Sequence, residues 1–296
     1  HTRHPAKAKQ FIVNVEDFVE AKAGEHGHAI FMEKGDINLG ACLPDLHRRP
    51  RAEQDSIAWT LLSVCSFISE CGIVWGDIKP GNFVQFKAPN HMRYFKAVDF
   101  DSARKTRRLA SSNQLPNISD VYEHGSGALV TPGFIAPERA AALLEGSPIA
   151  ADSKQDVFAL GAILYKLYTG RDLVHQRLLA DDQHLHFLAA EDFEADLSAV
   201  TDRGVQRVLA EMLQRDPSRR KTFTQILNHR MWSGQSSVTA SRILDGVNRA
   251  VDRIREDQRE FFQRMGKQLE RLGAQVQASE GLLRAGIQMI LAAQDG

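Results

Sequence analysis

The strongest constraint on the fold is the stretch 151–170. Within it Asp156-Val157-Phe158-Ala159-Leu160-Gly161-Ala162-Ile163-Leu164 is followed by Tyr165, Leu167 and Tyr168, so a helix through it is apolar on nearly every side. Such a helix has no face to give to water and must run through the centre of a lobe. The chain can supply the surrounding layers: of its 296 residues 43% are apolar, enough for one large or two smaller domains with a buried core. Lysine plus arginine equal aspartate plus glutamate at 37 each, which gives no bulk electrostatic reason to expect nucleic acid or an anionic membrane as partner. No apolar run approaches spanning length, and the opening His-Thr-Arg-His-Pro lacks the charged-then-apolar order of a signal peptide. The three cysteines, Cys42, Cys65 and Cys71, suit neither a disulfide framework nor a zinc site. They read as buried thiols in a reducing compartment, hence an intracellular, cytoplasmic chain. A start at His1 instead of Met is what a fragment of a longer protein would show.

The chemistry is concentrated upstream of that helix, in Ile73-Val74-Trp75-Gly76-Asp77-Ile78-Lys79-Pro80-Gly81-Asn82-Phe83. A carboxylate at Asp77 can accept the proton of an attacking hydroxyl. An ammonium at Lys79 can sit against a transferring phosphate, and the Asn82 carboxamide oxygen can face Mg²⁺. The spacing Asp-x-x-x-x-Asn resembles the catalytic loop of protein kinases.

Further landmarks carry the resemblance downstream, in the family's order. Asp99-Phe100-Asp101 resembles the metal-binding triplet, which implies that Asp99 holds Mg²⁺ and Phe100 packs inward. Glycine is usual where this chain has Asp101; the exchange removes backbone freedom and adds a negative charge beside the metal. Thr131-Pro132-Gly133-Phe134-Ile135-Ala136-Pro137-Glu138 resembles the end of an activation segment. By resemblance, Glu138 forms a buried ion pair with Arg220, next to Arg219, and Thr131 lies near Asp77 and Lys79 and shapes a serine/threonine substrate site. Asp156, opening the all-apolar helix, is implied to brace the backbone of the Asp77 loop. Trp75 and Gly76 stand where most kinases have histidine and arginine, so the usual guanidinium that gathers a loop phosphate is missing. Ser111, Ser112, Ser119, Tyr122 and Ser126 populate the intervening polar loop. We expect no conventional phosphate clamp there, although Arg104, Lys105, Arg107 and Arg108 offer substitutes.

Periodicity fills in the remaining elements. Residues 11–19 and 28–33 read as a β-hairpin across a turn-prone segment, with Phe31, Met32 and Glu33 at the hinge where the resemblance would put adenine. Residues 50–70 carry Ile57, Leu61, Val64, Cys65 and Ile68 at helical spacing. A strand is expected over 93–98, and helices over 183–197, 205–215 and 222–228, with the lobe closing near Trp232. His26-x-His28 and His184-x-His186 read as exposed histidines, since no third ligand stands at a metal-binding spacing. Upstream, the phosphate-covering glycine-rich loop, the strand lysine and its helix glutamate of a complete kinase are not found. Ala6-Lys7-Ala8-Lys9 is taken as an exposed basic end.

The expected fold is therefore α+β and protein-kinase-like. Residues 1–33 form a hairpin remnant of the small lobe and hinge, and 34–232 a helical large lobe. Residues 233–296 form a linker and an amphipathic, coiled-coil-like tail that could self-associate or bind a partner helix through 236–296. The expected function is ATP- and Mg²⁺-dependent phosphoryl transfer to a serine/threonine protein substrate, with Asp77, Lys79 and Asn82 catalytic, and Asn82 and Asp99 at the metal. The alternative is a catalytically impaired, pseudokinase-like scaffold.

Overall fold

The structure, a computed structural model, describes residues 5–19, 29–87, 93–105, 121–122, 131–179 and 183–232, all within one compact unit, residues 1–241. The expected tail helix, His26 and His28, and the loop hydroxyls of Ser111, Ser112, Ser119 and Ser126 lie outside these residues. Helix α5 (Ser153–Thr169) is the centre. Asp152 caps it by accepting the Lys154 N–H, and every residue from Gln155 to Tyr165 is buried. Gly161 lets the helix pass close to its neighbour: a Cβ there would sit 2.9 Å from Leu213 Cδ2.

Helix α3 (Arg51–Glu70) packs along α5, burying Ala58, Leu61, Leu62, Val64, Cys65, Phe67 and Ile68. This matches the helical spacing read from the sequence, although Ile57 is only partly buried. Cys65 alone of the three cysteines is fully buried; Cys42 and Cys71 are intermediate and all three are free thiols. Helix α2 (Leu39–Leu46) precedes α3, capped by Asn38 through the Ala41 N–H. Around the far side lie α4 (Pro137–Glu145), α6 (Gln183–Ala189), α7 (Arg203–Met212) and α8 (Phe223–Leu227). Asp202 caps α7, and Thr222 with Gln225 forms a capping box on α8. Trp232 is buried against Trp59 of α3 and donates its indole N–H to the Ile226 carbonyl, closing this helical layer. Among the described residues no helix is long and apolar enough to cross a membrane.

The sheets are small and antiparallel. Strands β1 (Val15–Val19) and β2 (Ala29–Met32) form the expected hairpin, with a register shift between Val15 and Asp17. Strand β3 (Ile37–Asn38) joins β5 (Phe83–Lys87) and β6 (Arg93–Ala97) in a three-stranded sheet. Strand β4 (Ile73–Val74) pairs with β7 (Arg104–Lys105), and β8 (Val121–Tyr122) with β9 (Ile149–Ala150).

Three local expectations need correction. The 5–11 segment is helix α1 (Pro5–Phe11) and more than a basic end: Lys9 is exposed, but Ala8, Phe11 and Ile12 recur at helical spacing and pack on the core, with the Phe11 ring 5.3 Å from that of Phe67. Helix α6 stops at Ala189, short of 197. Arg215 donates to the carbonyls of Ala189 and Ala190, while Phe193 turns inward onto Phe158. His184 is buried in α6, on the face that also buries Leu185 and Leu188.

Glu138 and Arg220 meet across the lobe, with both guanidinium NH groups on the carboxylate at 2.7 and 2.6 Å. Arg220 also donates to the carbonyls of Gln214, Lys154 and Arg215 and lies over the Phe158 ring at 5.1 Å. The two ends differ in environment: the Arg220 side chain is 0% exposed and that of Glu138 18%. Truncating the arginine orphans three carbonyls and a carboxylate, whereas truncating the glutamate leaves a cation that keeps three acceptors. Arg220→Ala should therefore cost about 3–5 kcal/mol and Glu138→Ala about 1–3 kcal/mol. Urea unfolding of the two variants checks the order; an equal loss would contradict it.

Candidate active site

The site is shaped from below by one carboxylate. Asp156, in the first turn of α5, is 3% exposed and accepts the backbone N–H groups of Trp75 (2.7 Å) and Gly76 (2.9 Å). Burial pushes its carboxyl up to about 7, against the opposing pull of those two N–H donors and of nearby Arg139. Gly76 adopts φ +79°, a left-handed conformation open to glycine at little cost. Its carbonyl accepts from the guanidinium of Arg139, buried on α4. Both polar groups of Gly76 are thus engaged, and the chain turns sharply into Asp77.

Three side-chain donors converge on the Asp77 carboxylate. Thr131 Oγ1 donates to Oδ1 at 2.9 Å, while Lys79 Nζ (2.5 Å) and Asn82 Nδ2 (3.2 Å) reach Oδ2. Asn82 Nδ2 also binds the Asp77 carbonyl at 2.9 Å. Spending its nitrogen on Asp77 turns the carboxamide oxygen of this buried residue away from Asp77. A 3₁₀ turn at Pro80–Asn82 connects Lys79 to Asn82 within the loop.

The Val98 N–H donates to the Asn82 carbonyl at 3.0 Å, which brings the start of the Asp99 triplet alongside the loop. Asp99 is exposed and is the one non-glycine residue with positive φ, +62°, among the described residues. Aspartate is among the few residues with a side chain that enter this region, since its short carboxylate can bond locally. Its carbonyl accepts the indole N–H of Trp75 at 2.7 Å, and Phe100 stacks on the same indole with centroids 5.3 Å apart and planes 18° apart. Trp75 in turn meets the Phe83 ring edge-on at 5.1 Å and is 0% exposed.

At the expected hinge, Phe31 and Met32 are exposed and Val15, Ile30 and Ile37 share that character. Glu33 turns the other way: its Oε1 accepts the Asn14 N–H and the ammonium of Lys96. Lys96 is buried between this carboxylate and the Phe86 and Tyr94 rings, whose centroids lie 4.8 and 6.0 Å from Nζ.

Asp77, Lys79, Asn82 and Thr131 are thus brought into one constellation, with Asp156 beneath it and Asp99 and Phe100 joined to it through Trp75. Glu138 and Arg220 form a separate staple, while Phe31, Met32 and Glu33 belong to the hairpin. Sequence reasoning missed Arg139, Lys96 and the hydrogen bond of Trp75. Arg139 follows directly on the Ala-Pro-Glu landmark, and that adjacency was the available signal; for Lys96 no local pattern exists.

Among the described residues no three histidine, cysteine or acidic side chains cluster as an all-protein metal site. Mg²⁺ keeps several waters and takes one or two protein oxygens beside substrate phosphates. The Asp99 carboxylate and the Asn82 oxygen supply hard donors of that kind, and the exposed apolar strip at Phe31 and Met32 suits a flat heterocycle.

The family model described as Protein kinase domain matches residues 5–232. The mouse (Mus musculus) dual specificity protein kinase TTK is 27% identical over 206 residues, covering 67% of this chain and 22% of that protein. Rat (Rattus norvegicus) calcium/calmodulin-dependent protein kinase type 1B is 25% identical over 210 residues, covering 70% of this chain and 55% of its own. Serine/threonine-protein kinase RUNKEL of Arabidopsis thaliana is 24% identical over 180 residues, 60% of this chain and 11% of that protein. The chain thus spans only 11–55% of the length of these relatives. The α+β architecture, the constellation around Asp77 and the family match agree: this chain belongs to the protein kinase family.

The Asp156 brace has a pH signature. Between the ordinary carboxylate range and about 7, the folded state holds a proton that the unfolded chain has released. The contribution of Asp156 to stability is therefore full at low pH and is lost as pH rises through that window. The unfolding free energy of the wild type minus that of Asp156→Asn, measured in urea, should fall from about pH 4 to about pH 7 and level off above. A difference that is flat across this range would contradict the assignment.

Proposed function

We propose that this kinase domain transfers the γ-phosphoryl group of Mg-ATP to a serine or threonine hydroxyl of a protein, with Asp77 as the base. The observation that carries the reading is the Asp77 carboxylate, oriented by Lys79, Asn82 and Thr131. ATP with Mg²⁺ would supply the phosphoryl group and the charge that balances its transfer. Asp77 accepts the proton of the acceptor hydroxyl as that oxygen forms its bond to phosphorus and the bond to ADP breaks. Lys79, released toward the transferring group, offsets its negative charge. Asn82 Oδ1 and the Asp99 carboxylate would be the protein ligands for the metal, and Phe31 and Met32 would line the adenine side, while Glu33 is engaged with Asn14 and Lys96.

Serine/threonine acceptors are favoured by Lys79, which stands two residues after Asp77, and by Thr131, whose hydroxyl already occupies the place beside the base that an acceptor hydroxyl needs. The serine/threonine-protein kinase RUNKEL points the same way, and the dual specificity kinase TTK is compatible with it. A second reading, a pseudokinase-like scaffold, is favoured by the exposed apolar strip of Val15, Ile30 and Phe31.

Transfer of labelled phosphate to serine- and threonine-containing peptides separates the two. Asp77→Asn should lower the rate about 10²–10⁴-fold while leaving Mg-ATP affinity within about threefold. Thr131→Val, which removes one of the three donors to Asp77, should cost less, about tenfold. Transfer that survives Asp77→Asn at the wild-type rate would rule out Asp77 as base. Mg-ATP binding without transfer in the wild type would favour the scaffold.

A further inference from the structure

We infer that Arg139 is a positioning residue for Asp77: from the first turn of α4 it holds the peptide plane that joins Gly76 to Asp77, and so fixes the backbone from which the carboxylate projects. The inference rests on the kinase reading, in which Asp77 is the base.

The contacts divide the loop plane by plane. The two N–H groups that Asp156 accepts, those of Trp75 and Gly76, belong to the peptide planes 74–75 and 75–76. Neither bond acts on the next plane. That plane carries the Gly76 carbonyl at one end and the Asp77 nitrogen at the other, and one NH group of Arg139 donates to the carbonyl. The plane after it, 77–78, is held through the Asp77 carbonyl, which accepts from Asn82 Nδ2 at 2.9 Å. The Asp77 backbone is thereby gripped on both sides, with Arg139 in front and Asn82 behind. Plane 76–77 also follows a glycine at φ +79°, where rotation meets little steric resistance, so a restraint from outside the loop has most to do there.

The type of side chain supports the same role. Arg139 is 6% exposed. A buried guanidinium carries a desolvation cost that a methionine of similar length avoids, so packing alone does not call for it. What the cation adds is a charge-assisted bond to the Gly76 carbonyl, stronger than a neutral one and shielded from water. Its mount is firm: the Arg139 N–H donates to the Ala136 carbonyl at 3.0 Å, and Glu138, one residue earlier, is stapled to Arg220. Arg139, Gly76 and Asp77 line one recess together with Thr131 and Gln155.

Arg139→Met removes the donors and nearly keeps the length of the side chain. In peptide phosphorylation by the 296-residue chain it should lower kcat about 10–100-fold and leave KM for Mg-ATP within about threefold. In the Asp77→Asn background the same change should lower kcat by no more than about threefold, because the group it positions is already altered. A residue that merely supports the fold would cost the same factor in both backgrounds. A second readout needs no catalysis. Hydrogen exchange of the Gly76 amide, followed by NMR without nucleotide, should quicken about tenfold in Arg139→Met, while the amides of 157–165 in α5 stay as in the wild type. If Arg139→Met does not fold, Arg139→Gln, which keeps a polar group and loses the charge, takes its place in both measurements with the same signs of change.

Where the wild type transfers phosphate, the comparison of backgrounds decides. An equal factor in both, or a wild-type kcat in the single variant, would overturn the positioning role and leave the kinase reading intact. Where the wild type transfers none, the exchange decides. A faster Gly76 amide would uphold the anchor and defeat the kinase reading, and an unchanged amide would defeat both.

Discussion

The geometry of the Asp77 loop depends on a single buried carboxylate. A tight loop leaves backbone N–H groups pointing inward, where water cannot reach them, and each must find an acceptor or destabilise the fold. Asp156 meets two of them, at Trp75 and Gly76, from the first turn of a helix buried along most of its length. Because α5 is packed by α3 and α7 and passes closely over Leu213, it cannot move independently of the lobe. The rigidity of the helix is thereby transmitted to two consecutive peptide planes, and through them to Asp77. In the proposed role of base, Asp77 gains from such fixed mounting, because it would have to meet a hydroxyl within hydrogen-bonding distance.

A second ionic contact has a different task. The Glu138–Arg220 pair lies far from Asp77 in its contacts and serves to tie the start of α4 to the segment after α7. Its connection to the site is indirect but physical: the residue after Glu138, Arg139, reaches the Gly76 carbonyl. Fixing the first turn of α4 therefore also fixes the guanidinium beneath the loop. The segment that ends in Ala136-Pro137-Glu138 contributes Thr131 above Asp77 and Arg139 below it, so one short stretch holds the loop from two sides.

Much of this was legible in the sequence where residue type and spacing alone dictate the outcome. The all-round apolarity of 153–169 announced a central helix, and the helical spacing of Leu61, Val64, Cys65 and Ile68 announced α3. The order of Asp77, Asp99, Glu138, Asp156 and Arg220 pointed to the family that the match over residues 5–232 establishes. Features decided by tertiary contact were not legible. Nothing in Ala6-Lys7-Ala8-Lys9 says that Phe11 will find Phe67, and nothing at Ala189 says that Arg215 will cap the helix there. The burial of Lys96 against Glu33 and two rings is likewise decided by tertiary contact. Trp75 was noted as a departure from pattern, but an unusual residue identity does not reveal which atom it donates or to whom.

The replacement at Gly76 is best understood together with Arg139. An arginine in the loop itself would project a cation outward from Asp77, available to an anion on a neighbouring segment. Here the loop carries no side chain at that position, and the nearby cation comes from α4, buried, with one NH group donating to the Gly76 carbonyl. A guanidinium used in this way satisfies a backbone acceptor and offsets the charge of Asp156, whose carboxyl it helps to pull down against burial. It has little exposed surface left with which to gather a phosphate. The positive φ of Gly76 belongs to the same arrangement, since it lets the N–H face Asp156 and the carbonyl face Arg139 within one residue. A side chain at position 76 would have to adopt that left-handed backbone beside two occupied hydrogen bonds, which favours glycine there.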